Sequence, residues 1–109
     1  MKIPRHEDVQ VDESKVSGYL LSEAHPIGRF KARFFRALGF QAATPQGFIG
    51  ELRRIAAEGE VAQSVETSFG HKYLVPGELR GPRGSAWVIT VWFVERGGDR
   101  ARLITVHPR

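Results

Sequence analysis

The segment HPIGRFKARFFRALGF, residues 25–40, holds four cations, a histidine and four phenylalanines, with no acid among them. His25, Gly28 and Lys31 cluster where Pro26 restarts a helix, and the free N–H groups and dipole of a helix N-terminus favour a phosphate. Lys31 falls at the border of the apolar face beside Phe35, so a partly buried stem makes its charge a fixed point. Two further groups of chemistry-bearing residues lie downstream: His71, Lys72 and Tyr73 in one run, and Trp92, Thr105 and His107 in two others. RNA carries its own nucleophile, the 2′-OH, so a protein that cleaves it needs only a base, an acid and a cation for the charged phosphorane. Imidazoles exchange protons near neutral pH and suit the transfers. The catalytic candidates are His25, Lys31, Tyr73 and Thr105, with His25 or His71 as base or acid. Arg29, His71, Lys72, Trp92 and His107 are the candidate substrate contacts, Arg29 joining Lys31 at the phosphate. The four histidines are far apart, none in a metal-ligand spacing, and the chain has no cysteine. Thiolate metal sites and cysteine nucleophiles are thereby excluded, and no metal or other cofactor is expected.

These residues need elements to hold them. VDESKVSGYLLSE has Asp12 as N-cap and helical spacing through Val16, Tyr19 and Leu20, which predicts a short helix over about residues 12–22. From Pro26, the residues Ile27, Phe30, Phe34 and Leu38 recur at three and four, with Gly39 as the stop. His25, Arg29, Arg33 and Arg36 point the other way, inside an arc of about 80°. A third helix runs from the cap Thr44 and Pro45 to Gly59, with Phe48, Ile49, Leu52, Ile55 and Ala56 as its stripe. After Glu60 the period changes to two. VAQSVETSF, HKYLVPGEL, SAWVITVWFVE and RARLITVHP then read as four strands joined at RGPRG and RGGDR, with Gly97-Gly98 suiting a two-residue hairpin. Helices first and an antiparallel meander afterwards make an α+β domain, with N-terminal helices on one face of a four-stranded antiparallel sheet.

Centring the last turn on Gly97-Gly98 pairs Trp92 with Leu103, Thr90 with Thr105 and Val88 with His107. The other face then collects Trp87, Ile89, Val91, Phe93, Ile104 and Val106. Being almost wholly apolar, that face is expected beneath the helices. Extension through GPRG sets Tyr73 beside Trp92 and His71 near Val94. The uncovered face would show Tyr73, Trp92, Thr90, Thr105 and two histidines, a surface on which RNA bases stack while cations collect the phosphates.

The bulk properties agree with one globular domain, residues 1–109. Hydrophobic residues make up 41% and charged residues 26%, as in folded proteins rather than disordered tails. No run is long enough to cross a bilayer, and MKIPRHEDVQ has no apolar signal core, so a cytoplasmic protein, or one released from a larger chain, is expected. Net charge is +4 but uneven: residues 25–56 carry six Lys/Arg against one acid, and residues 70–109 seven against three. Two basic blocks separated by acidic stretches point to an anionic partner.

YLLSEAHPIGRFKARFFRALGF, FGHKY, VWFV and RLITVHP together resemble a bacterial domain family with an HP-G--KA-FF segment, a G-KY strand, a tryptophan strand and an RL-T strand. The resemblance spans residues 3–108. It marks Tyr19, His25, Pro26, Gly28, Lys31, Phe35, Gly70, Lys72, Tyr73, Trp92 and Thr105; relatives tend to have tyrosine where this chain has His107. Such relatives are standalone proteins beside an antitoxin, or C-terminal toxin modules of secreted bacterial proteins. The resemblance therefore implies an antitoxin or immunity partner and delivery into the cytoplasm of a target cell. The order of helices and strands is also similar to the barnase–EndoU–colicin–RelE ribonucleases, an analogy of topology. The expected function is a toxin-like, metal-independent endoribonuclease acting by 2′-OH transesterification. The alternative is a non-catalytic module that binds RNA or an antitoxin, and a plainer third option is a homodimer packed through the Trp92 face.

Overall fold

The computed structural model describes residues 1–22 and 29–109, with side chains described for all of these except Arg29 and Phe30. His25, Pro26 and Gly28 lie outside the described residues, so the predicted start of the second helix does too. Helix α1 (Glu13–Lys15) runs directly into a π-helical turn (Val16–Leu20). Asp12 caps it, accepting the Ser14 N–H at 2.9 Å. The predicted single helix is thus two pieces, the widened turn closing with the Leu21 N–H on the Val16 carbonyl at 2.8 Å. Helix α2 (Arg29–Ala37) ends at Gly39, whose φ of +100° is the left-handed stop expected of glycine. Helix α3 (Gln46–Glu58) follows Pro45 and stops at Gly59.

Strands β1 (Gln63–Thr67), β2 (Gly70–Gly81), β3 (Gly84–Glu95) and β4 (Arg102–Pro108) form an antiparallel meander in the order β1-β2-β3-β4. The β2–β3 register runs unbroken from Gly70↔Glu95 to Gly81↔Gly84, with Tyr73 opposite Trp92 and His71 opposite Val94, as centring on the turn predicts. Neither Pro76 nor Gly77 carries a bulge. The last connection is longer than two residues, the strands parting after Phe93↔Arg102.

On β2, β3 and the start of β4 the faces are the reverse of the expected ones, while Thr105 and His107 lie outward as expected. Tyr73, Val75, Leu79, Val88, Thr90, Trp92, Val94, Leu103 and Val106 are all buried in the core, Thr90 and Trp92 completely. Two physical reasons overturn the expectation. First, β4 slips by one residue between Val91 and Trp92: Trp92 keeps Leu103, but Val91 meets Thr105 and Thr90 meets Val106. The extra residue exchanges the faces of everything beyond it, sending Val106 inward and Thr105 and His107 outward. Second, the polar atoms on the inner face satisfy one another. Thr90 Oγ1 donates to the Val75 carbonyl at 2.7 Å and accepts the Trp92 indole N–H at 2.8 Å, so burial leaves no polar group unpaired.

Gly77 fixes which face the helices take. A β-carbon there would sit 2.7 Å from Ile55 Cγ2, and one at Gly59 would sit 2.6 Å from Val75 Cγ1. The strand and the end of α3 therefore meet at glycine-only distances. Above them Phe48 of α3 takes Phe35 and Phe40 edge-on, at centroid distances of 5.1 and 5.0 Å, which locks α2 to α3. The N-terminal segment closes the β4 edge: the Gln10 N–H bonds the Ala101 carbonyl, and the Leu103 N–H bonds the Gln10 carbonyl.

Candidate functional site

Two of the four catalytic candidates come together. Lys31, in the first turns of α2, donates from Nζ to Thr105 Oγ1 on β4 at 2.9 Å across a separation of 74 residues. The helix is held in place by Phe35, buried four residues further on and one turn away on the same side. Tyr19, in the π-helical turn, sets its ring 5.7 Å from the same ammonium. Lys15, one turn before Tyr19, donates to the Ile104 carbonyl at 3.0 Å, the residue next to Thr105. The bulge that turns β4 outward therefore also presents the Ile104 carbonyl and the Thr105 hydroxyl to two lysines.

The electrostatics of this cluster are those of an anion site. Among the described residues no carboxylate pairs with Lys15 or Lys31. Burial first, and the Lys15 charge second, push the Lys31 ammonium below its ordinary value of 10.5. Because Thr105 Oγ1 accepts from Lys31, the hydroxyl hydrogen is left to point onward to a further acceptor. A phosphate oxygen in that position would supply both an acceptor for the hydroxyl and a counter-charge for the two ammoniums.

His107 lies two residues beyond Thr105 on the outward side, opposite Ile89 in register, with Nδ1 3.2 Å from the Pro108 carbonyl oxygen. The outward face also carries Lys72, opposite Phe93. Two aromatic rings there are met by arginine: Arg102 stands 5.6 Å from the Phe93 centroid and Arg109 5.9 Å from that of Trp87, whose side chain is 54% exposed. The outward face thus carries Phe93 and Trp87, expected under the helices, in place of the expected Tyr73 and Trp92, which face the core.

The remaining candidates are elsewhere. Trp92 is wholly buried and Tyr73 nearly so, which removes both from a surface for stacking bases. Residues opposite consecutive positions of β3 point to opposite faces, so Tyr73 (opposite Trp92) and Thr105 (opposite Val91) do not share a site. His71 stacks on Tyr73 at 4.7 Å and 18°, and its Nε2 lies 3.0 Å from Ser64 Oγ. These two rings line a cleft of about 450 Å³ between the β1–β2 hairpin and the turn after β3. His25 lies outside the described residues, as does the side chain of Arg29. Lys15 was missed by sequence reasoning, and its one signal is the spacing of four to Tyr19 on a helical segment. Arg102 and Arg109 gave none. No described helix is long and apolar enough to cross a membrane.

A family model described as a domain of unknown function (DUF6883) matches residues 2–109. No curated protein matches the chain. Among solved structures, a chain of a contact-dependent growth inhibition toxin–immunity protein complex from Klebsiella pneumoniae 342 superposes with a TM-score of 0.70 at 16% identity. The match covers 95% of this chain and 96% of that one, so the two share a fold across nearly their whole length.

Proposed function

The chain belongs to the DUF6883 family, and on the geometry of its own residues we propose that it is a toxin-type domain that cuts RNA without a metal. The observation that carries the reading is the Lys31–Thr105 hydrogen bond beside Lys15, with no carboxylate paired to either lysine among the described residues. A scissile phosphate placed there receives two cations and a hydroxyl donor where negative charge builds up. The ribose 2′-OH gives up its proton to a base as the 2′-O–P bond forms. The P–O5′ bond breaks, and the leaving oxygen takes a proton, yielding a 2′,3′-cyclic phosphate and a 5′-hydroxyl. His107, on the same side of β4 as Thr105, and His25, six residues before Lys31 in the chain, are the imidazoles assigned to the two transfers. Flanking nucleotides run over the outward face, their bases on Trp87 and Phe93 and their phosphates on Lys72, Arg102 and Arg109.

The fold shared with a chain of a toxin–immunity complex supports a role in such a system, with an immunity-type protein as partner; RNA as its target rests on the Lys31–Thr105 geometry alone. A second reading, binding without cleavage, is favoured by the exposed Trp87 ring, which suits a protein partner as well as a base.

The test is incubation of the purified protein with total RNA, with and without EDTA, followed by mapping of the cut ends. Discrete cuts that survive EDTA and leave cyclic phosphates are expected, and they vanish in Lys31→Ala. Intact RNA, at protein levels that still bind it, supports the binding reading instead.

A further inference from the structure

The cleft around His71 has a composition of its own and lies on the helix side of the sheet, away from Thr105 and His107. Three carboxylates line it, but two are engaged: Glu95 by Arg102 at 2.8 Å, and Asp99 by Arg5 at 2.8 Å. Glu66 is paired with no cation among the described residues, and it stands directly opposite His71 in the β1–β2 register. Arg96 enters the cleft from the other side, its guanidinium donating to the Ser68 carbonyl at 3.3 Å and to no other group among the described residues. One face of the His71 ring is covered by Tyr73, and the half-buried imidazole has its other face left for a guest. The cleft therefore offers a ring to stack on, the two oxygens of the Glu66 carboxylate beside it, and a cation further off. Its volume of about 450 Å³ is that of a small-molecule site.

We infer that this cleft binds a guanine nucleotide, with the base stacked on His71, its N1–H and N2–H donated to Glu66, and its phosphate at Arg96. The choice of base follows from the inventory of donors. An ionised carboxylate only accepts, and of the four RNA bases guanine alone has two adjacent donors on its Watson–Crick edge. Adenine and cytosine set a donor beside an acceptor, and uracil has a single N–H between two carbonyls. The same chemistry is present in a free nucleotide and in a guanosine of an RNA strand. Binding here is independent of cleavage at Lys31.

The experiment is amide NMR titration of the full chain with GMP, AMP, CMP and UMP at up to millimolar concentration. Shifts centred on Glu66, His71 and Arg96 are expected with GMP, which binds about tenfold or more tightly than the other three. Glu66→Gln replaces one acceptor by a donor and abolishes that preference. Arg96→Ala weakens GMP while leaving guanosine unchanged. The exposed positions of Glu66 and Arg96 keep both variants folded, which the same spectra verify. A guanosine-containing trinucleotide distinguishes the sources: tighter binding than GMP assigns the site to RNA, equal binding to the free nucleotide. Absent shifts, equal shifts with all four nucleotides, or shifts confined to Lys31 and Thr105 overturn the inference. Lys31→Ala, which removes cleavage, leaves GMP binding unchanged, so failure of one reading is separable from failure of the other.

Discussion

At the scale of single residues, Lys31 is held where its charge is costly. Its value in the folded chain lies below that of the unfolded chain, so between the two the unfolded state binds the extra proton and stability rises with pH. Below the folded value the cost is fully present. Lys31→Met is therefore expected to be as stable as the parent at pH 7, within about 1 kcal/mol or better, while cutting no RNA. Its relative advantage is expected to shrink as pH approaches 10.5, a trend that urea melts at several pH values check directly. Thr105→Val, which keeps shape and removes the hydroxyl donor, should lower cleavage about 10²-fold or more with little change in RNA affinity. Thr90→Val is the contrasting case. It strips the partner from the buried Trp92 indole, is expected to cost about 1–3 kcal/mol in chemical denaturation, and leaves the chemistry of the folded fraction intact. The Lys31–Thr105 pair was legible in the sequence as two candidates, and the role of Lys15 was not, because one lysine on a short amphipathic segment differs in no way from a solvated one.

At the scale of elements, most of the fold was legible and the direction of the sheet was not. The stripe Phe48, Leu52, Ile55 and Ala56 predicts α3 and its buried side, and the glycine turns predict the β2–β3 register. The bulge in RLITVHP has no glycine or proline to announce it, and one extra residue is enough to exchange Thr105 with Val106. Counting apolar residues on each face failed for the same reason, compounded by a threonine and a tryptophan that hide each other's polar atoms. Gly77 was the readable clue, since glycine inside a strand marks close approach by another element. Gly77→Ala is expected to destabilise by about 1–3 kcal/mol, because Ile55 must move away from the new methyl group, and thermal unfolding measures it. α3 is also tied to β2 through Glu51, which Arg54 and the Arg80 N–H hold below the ordinary carboxylate value. That contribution is present above pH 4.5 and is lost as pH falls through the lowered value.

At the scale of the whole molecule, Lys31 from the first basic block and Lys72, Arg102 and Arg109 from the second lie at the outward face and the β4 edge. RNA binding there is expected to weaken steeply with salt, and Arg109→Ala and Arg102→Ala should each reduce the slope of log affinity against log salt by about one. A slope near zero would place the RNA elsewhere.

The two margins of the sheet are unequal. The first half of β4 is covered by Gln10 and by the Lys15 ammonium, whereas among the described residues β1 pairs with β2 alone and is exposed along most of its length. The more open margin, β1, is where a foreign strand can zip on most readily. Two copies that join β1 to β1 consume both of these margins at once, so pairing by that route closes at a pair rather than growing into a fibre.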